Sequence, residues 1–175
     1  ASDYYAVLQP VEGLNVPDIN FGTANATAIT VSFWVRSTLT GSFGASVANS
    51  GASRSYPFAY TINSANTWEY KTVTISGDQS GTWLTTNGVG IYLIFDMGCG
   101  TSYKGPANTW ASSTYYGATG TQAVIGTNGA TWYVTGVQLE VGAVATPFER
   151  RQYGEEFLLC QRYFMQFTGS SAANG

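Results

Sequence analysis

The sequence predicts an all-β fold, an antiparallel β-sandwich of the jelly-roll kind with a short C-terminal helix. Three observations carry that expectation. Six segments alternate apolar and polar residues with a period of two, turn signals stand between them, and no helical periodicity precedes residue 150. The 175 residues suffice for one such domain, residues 1–149, burying about two-thirds of its unfolded surface, followed by a helical and linker segment over residues 150–175.

In chain order, the first segment is YYAVLQP, residues 4–10, read as what remains of an N-terminal strand before VEGL. The run AITVSFWVRS, residues 28–37, places Ile29, Val31, Phe33 and Val35 on one face and Thr30, Ser32, Trp34 and Arg36 on the other. Thr40 and Gly41 turn the chain into SFGASVANS, where Phe43, Ala45 and Val47 alternate with small residues, so the two runs form a hairpin. PFAYTIN, residues 57–63, keeps Phe58, Tyr60 and Ile62 in phase. WEYKTVTISG, residues 68–77, points Val73 and Ile75 inward and Tyr70, Thr72 and Thr74 outward. Asn87 and Gly88 are a strong turn pair ahead of VGIYLIFDMG, whose Val89, Ile91, Leu93, Phe95 and Met97 define a core face, with Tyr92 and Asp96 opposite.

Residues 98–130 follow without a sustained period. A loop that long is uncommon without a purpose. Its Tyr103, Trp110, Tyr115 and Tyr116 stand among glycines and either pack on the sandwich edge or a neighbouring subunit, or face a ligand. The last strand, TWYVTGVQLE, sets Tyr133, Val137, Leu139 and Val141 against Trp132, Gln138 and Glu140. Gly142 and Pro147 end it. From Gly154 to Phe164 helix formers take over, with Glu155 and Glu156 at the start and Arg162 near the end, matching the helix dipole.

Composition restricts the chemistry. Only 10% of residues are charged, and the net charge of −3 gives no basic footprint for nucleic acid. Histidine is absent, which removes the usual general base, nucleophile activator and transition-metal ligand together. A serine nucleophile would need Lys71 or Lys104 as base, and neither has a supporting pattern. Glycoside hydrolysis needs only two carboxylates, and Glu69, Asp78, Asp96, Glu140 and Glu149 are present, but no local motif pairs them. The expectation is no enzyme and no catalytic residue. Cys99 and Cys160 have no metal spacing and are expected as free, buried thiols. No apolar run reaches the roughly 20 residues of a membrane-crossing helix, so no membrane insertion is expected, and the N-terminus carries no signal pattern. The missing initiator Met and the polar end FTGSSAANG, which reads as the start of a linker, suggest a piece of a longer chain.

The order QLE, then ATPFE, then GEEFLLCQRYF closely resembles the C-terminal part of a large family of bacteriophage tail-fibre and tail proteins. The resemblance implies a virion location, extracellular after release, and a role in host attachment alongside other virion proteins. It also implies a parallel homotrimer in which Phe157, Leu158, Tyr163 and Phe164 lie at or near the subunit contact. The apolar residues Phe157, Leu158, Leu159, Cys160, Tyr163 and Phe164 wrap around more than one helical stripe, which calls for a second partner surface on its own account. Arg150, Arg151, Glu155, Glu156 and Arg162 either add inter-chain pairs or form a solvated face.

The series VEGL, ITVSFWVRS, WEYKTVTI, GIYLIFDMG and TWYVTGVQLE, over most of residues 10–141, also resembles the strands of sandwich-type carbohydrate-binding modules. That implies glycan recognition by aromatic rings that stack on sugar faces, with polar groups fixing the hydroxyls. Candidates are Trp110, Tyr115, Tyr116 and Tyr103 on the loop, of which Trp110, Tyr115 and Tyr116 are the ones expected to be exposed. On the strands they are Trp34, Arg36, Tyr92 and Asp96, in a stripe with Trp132 and Gln138; a covering loop or helix over Trp34 and Trp132 is the competing expectation. Such modules often hold a structural calcium near the last strand. The corresponding place reads Thr135, Gly136, Val137 without an acidic residue, so no metal or cofactor is expected. Three functions stand: a tail-fibre attachment domain, a carbohydrate-binding module of a secreted bacterial polysaccharide-processing protein, and an architectural fibre or decoration domain.

Overall fold

The computed structural model describes residues 2–166, so the polar end at residues 167–175 lies outside the described residues. Besides four single-turn 3-10 helices, the described residues form nine strands and one α-helix, in order β1 (Ala6–Glu12), β2 (Ile29–Ser37), β3 (Gly41–Asn49), β4 (Ser55–Ile62), β5 (Glu69–Ile75), β6 (Val89–Asp96), β7 (Lys104–Gly105), β8 (Gly117–Ala118), β9 (Trp132–Val141) and α1 (Tyr153–Gln161). Two antiparallel layers form, one ordered β1-β6-β3-β4 and the other β5-β2-β9, so the chain crosses repeatedly between sheets as in a jelly roll. The turn at Thr40 and Gly41 carries it from one layer to the other, and β2 and β3 do not form the expected hairpin. This is the all-β sandwich expected from the sequence. The N-terminal segment is a full strand, β1, paired along its length with β6. Among the described residues no helix is long and apolar enough to cross a membrane.

The core follows the alternation. Ile29, Val31, Phe33 and Val35 of β2 are at most 1% exposed, and Phe43, Phe58, Ile62, Ile75 and Ile91 are wholly buried. Phe33 sits edge-on to Tyr60 and Phe95, with ring centres 5.1 and 5.2 Å apart. Each such phenylalanine contributes about 2–3 kcal/mol of burial, which is what fixes the register of its strand.

β9 departs from its expected phase. Trp132 and Val134 pack inward together with Val137 and Leu139, while Tyr133 faces out; Val141, opposite Ile29, keeps its expected side but is exposed at the end of the strand. The cause is Gly136, which adopts φ +56° where the β2–β9 register slips between Ser32 and Trp34. The extra residue makes a bulge, and everything before it changes face. Trp132 therefore donates its indole N–H to the Tyr60 hydroxyl at 3.0 Å and lies against Phe95.

The long loop returns over the outer face of the four-stranded sheet. β7 and β8 pair in parallel, and the loop is anchored by Asp96, which is 0% exposed. Asp96 Oδ1 accepts from the backbone N–H of Gly98 and Cys99 at 2.8 and 2.7 Å, and Oδ2 meets the Lys104 ammonium at 3.1 Å. Gly117 lies so close that a Cβ there would fall 2.3 Å from Asp96 Oδ2. Both cysteines are free. Cys99 is buried, and desolvation together with the neighbouring Asp96 pushes its thiol up to about 12. Cys160 is exposed, contrary to expectation, because nothing among the described residues covers α1.

Candidate functional site

The outer face of the β5-β2-β9 sheet divides into a roofed half and an open half. Over the first, the chain leaving β9 doubles back as a strap: Thr74 Oγ1 donates to the carbonyl of Ala143 at 3.0 Å, Thr30 Oγ1 to that of Gly142 at 2.8 Å, and the Glu149 N–H to Gln138 Oε1 at 2.8 Å. Glu140 takes the Thr146 N–H at 3.1 Å and the Thr146 hydroxyl. The strap thereby covers Thr30 and Ser32, which the two-residue period would otherwise leave in water.

The open half is aromatic. Trp34 of β2 lies directly across from Tyr70 of β5, their ring centres 5.4 Å apart and their planes tilted by 46°. Both are 44% exposed. Phe148, at the end of the strap, is 50% exposed, and the Gly136 bulge lies between it and Trp34: a Cβ at Gly136 would be 3.5 Å from Trp34 Cδ1 and 3.8 Å from Phe148 Cδ2. The result is a groove of about 350 Å³, floored by Ser32 and Gly136 and walled by Trp34 and Tyr70 on one side and Pro147 and Phe148 on the other. Trp68, two residues before Tyr70 and 41% exposed, and Tyr133, 48% exposed, extend the aromatic surface. Large rings left half in water beside one another are unusual on a surface with nothing to bind.

Arg36 supplies the charge. It faces Tyr133 across the β2–β9 ladder, with its guanidinium carbon 5.7 Å from the ring centre. Its Nε is shut off from water and has no hydrogen-bond partner among the described residues. Five of the seven Lys and Arg residues form ion pairs, namely Arg54, Lys71, Lys104, Arg151 and Arg162; among the described residues Arg36 and Arg150 do not.

Glu69, at the head of the strand that carries Tyr70, is fully engaged. Its carboxylate accepts from Lys71 Nζ at 2.6 Å, from the backbone N–H of Asn63 and Ser64 at 2.8 Å each, and from Asn63 Nδ2 at 3.0 Å. The Lys71 ammonium, helped by the Asn63 and Ser64 donors, pulls its pKa from an ordinary 4.5 to about 2, against the opposing effect of desolvation. A depressed folded pKa stabilises the fold above the ordinary value and loses that contribution as pH falls through the folded one. Urea midpoints are therefore expected to drop as the pH is lowered from roughly 5 to 2, with a shallower drop in Glu69→Gln. Equal slopes in the two proteins would contradict this role for Glu69.

The remaining sequence-derived candidates lie elsewhere. Trp110 is not an exposed platform: its indole N–H donates to the Ser76 carbonyl at 2.8 Å, and its ring packs edge-on against Phe21, Tyr56 and Trp83. The Arg54–Asp78 pair caps that cluster, bidentate at 2.7 and 2.5 Å, with the guanidinium over Trp110. Tyr115 and Tyr116 are half-buried rather than exposed. Tyr115 lies on Gly105 so tightly that a Cβ there would be 2.2 Å from its ring. Tyr116 stacks on Tyr103 at 5.1 Å, and Tyr4 closes edge-on over both at 4.9 and 5.2 Å. Tyr92 is half-buried on the outer side of β6, and Asp96 is a buried anchor without access for a ligand. Of the eight proposed ligand contacts, only Trp34 and Arg36 share the open groove face. Tyr70, Trp68, Tyr133 and Phe148 join them; the alternation had already turned Tyr70 outward, but only strand pairing places it beside Trp34.

A larger groove of about 920 Å³ runs between β9 and the strap, lined by Glu140, Glu149, Arg150, Arg151 and Glu156 among others. Desolvation raises the Glu140 pKa, but the Gln138 and Thr146 hydrogen bonds outweigh it and hold the carboxyl below its usual range. That is the reverse of what the acid of a glycosidase pair requires. Among the described residues no three Cys, Asp or Glu side chains converge on a metal position.

α1 and the residues just after it leave their apolar side chains uncovered: Phe157 is 49% exposed, Leu158 68%, Tyr163 67% and Phe164 73%. It is tethered to the sandwich by Glu12 of β1, which accepts from Arg162 at 2.6 and 3.0 Å and from the Tyr163 hydroxyl at 2.8 Å. Arg151 pairs with Glu156 at 3.5 Å within the same chain. The chain matches no protein-family model, no curated protein and no solved structure.

Proposed function

We propose that this is a non-enzymatic attachment domain of a bacteriophage tail fibre or related virion appendage, which binds glycan on the host surface through the open face of the three-stranded sheet. The observation that carries the reading is the groove between Trp34 and Tyr70 on one side and Phe148 on the other. Its walls are flat and apolar, and the apolar face of a pyranose ring offers the matching surface. The tail-fibre reading rests on the QLE, ATPFE and GEEFLLCQRYF series. A glycan array probed with the intact protein is expected to show retention on a restricted set of sugars. A folded protein that binds none would leave the architectural reading in place.

Self-association is the second part of the proposal, favoured by α1. A helix with no buried residue, carrying Phe157 and Leu158 and followed by the exposed Tyr163 and Phe164, gains stability only if another surface covers it. Three parallel copies would cover it mutually. Light scattering is expected to report a trimer, and Phe157→Asp to yield monomers or aggregates. A wild-type monomer with the mass unchanged by that substitution would remove this part of the proposal.

A further inference from the structure

We infer that the sugar taken by the Trp34–Tyr70 face is acidic, with its carboxylate read by Arg36; this rests on the glycan-binding proposal and names its ligand class. The fold holds Arg36 as a cation without an anion. Its guanidinium lies over Tyr133, and its Nε is shut off without an acceptor, so that only the terminal amino groups are left to meet a ligand. Among the described residues it takes part in no ion pair, whereas five of the other six basic side chains do. The two carboxylates of this sheet described above are already committed, Glu69 to Lys71 and the 63–64 turn, and Glu140 to Thr146. Arg36 is two residues from Trp34 on the same face of β2, about 7 Å along the strand. A substituent on a ring stacked at Trp34 falls within reach of its side chain. A planar carboxylate is the group a guanidinium recognises with two parallel hydrogen bonds, and a ring-stacked guanidinium has little freedom left to lose.

At a net charge of −3 the chain as a whole repels a polyanion, so a preference for an acidic polysaccharide over its neutral form has to come from a local cation. Neutral sugars would use the aromatic walls alone and be indifferent to Arg36.

Affinity electrophoresis tests this in native gels containing polygalacturonate, alginate or hyaluronate, each beside its carboxyl-reduced form and beside dextran. The wild type is expected to be retarded more strongly by at least one acidic polymer than by its reduced form. Arg36→Gln is expected to weaken that retardation by about tenfold or more while leaving any binding to reduced polymers unchanged. Arg36→Lys, which keeps the charge and loses the planar fork, is expected to fall between the two. Equal retardation by an acidic polymer and its reduced form overturns the acidic assignment, and Arg36→Gln behaving as wild type with a native circular dichroism spectrum overturns Arg36 as the group that reads the carboxylate; either result leaves glycan binding standing. No retardation in any gel by a folded protein overturns both.

Discussion

Asp96→Ala is expected to be among the most damaging single substitutions in this chain, lowering stability by about 3–5 kcal/mol and the melting temperature by about 10 °C. The side chain is wholly buried at the end of β6 and satisfies two backbone amides that turn the chain into the long loop, those of Gly98 and Cys99. Its second oxygen neutralises Lys104, whose ammonium also bonds the carbonyl and hydroxyl of Thr121 at 3.1 and 3.0 Å. Truncation leaves a buried ammonium without its counter-charge and two amides without acceptors, and both losses occur where water cannot compensate. Removing Lys104 together with Asp96 is expected to cost less than the sum of the single changes, since the stranded charge disappears with its partner. Thermal unfolding followed by circular dichroism measures each. A loss below about 1 kcal/mol for Asp96→Ala would mean the loop is not anchored through this carboxylate.

The largest effect on binding is expected from Trp34→Ala combined with Tyr70→Ala. Both rings are half-exposed and touch each other across the β2–β5 ladder, so together they form one wall of the groove. Aromatic anchors of this kind each carry about 2 kcal/mol at binding surfaces, so glycan affinity is expected to fall at least about a hundredfold. Stability is expected to change by less than about 1 kcal/mol, the worth of one cross-strand pair. Loss of affinity with an unchanged melting curve distinguishes a ligand contact from a structural one. Unchanged affinity would place the binding elsewhere on the molecule.

These two residues also show how far the sequence could be read. The period of two put Trp34 and Arg36 on the face opposite Phe33 and Val35, and that is where they are. It put Tyr70 outward as well, yet periodicity within one strand says nothing about which strand lies alongside, so the Trp34–Tyr70 wall could not be assembled. The β9 phase failed for a local reason that was written in the chain: Val134 and Val137 are three apart with Gly136 between them, a spacing a regular strand cannot bury on one face. Trp110 failed differently. A ring in a long loop has no period to assign it, and only the return of that loop onto Phe21, Tyr56 and Trp83 turned it from a surface candidate into core. Asp96 was correctly placed opposite the apolar face of β6, but the loop that covers this face was not legible, so an anchor resembled a ligand contact. The apolar character of the C-terminal helix was plain in its composition, and the structure leaves it uncovered.

The five tryptophans offer the most direct test of the central claim that the open sheet face is the binding surface. Trp83, Trp110 and Trp132 each donate their indole N–H inside the protein, to the Ser80 carbonyl, the Ser76 carbonyl and the Tyr60 hydroxyl. Trp34 has no such partner among the described residues and forms a wall of the groove. Nuclear magnetic resonance of the five indole N–H groups during titration with a bound oligosaccharide from the array or gels reads them separately. The Trp34 resonance is expected to move in proportion to occupancy while those of Trp83, Trp110 and Trp132 stay in place. A ligand that binds while Trp34 remains unmoved would contradict the account.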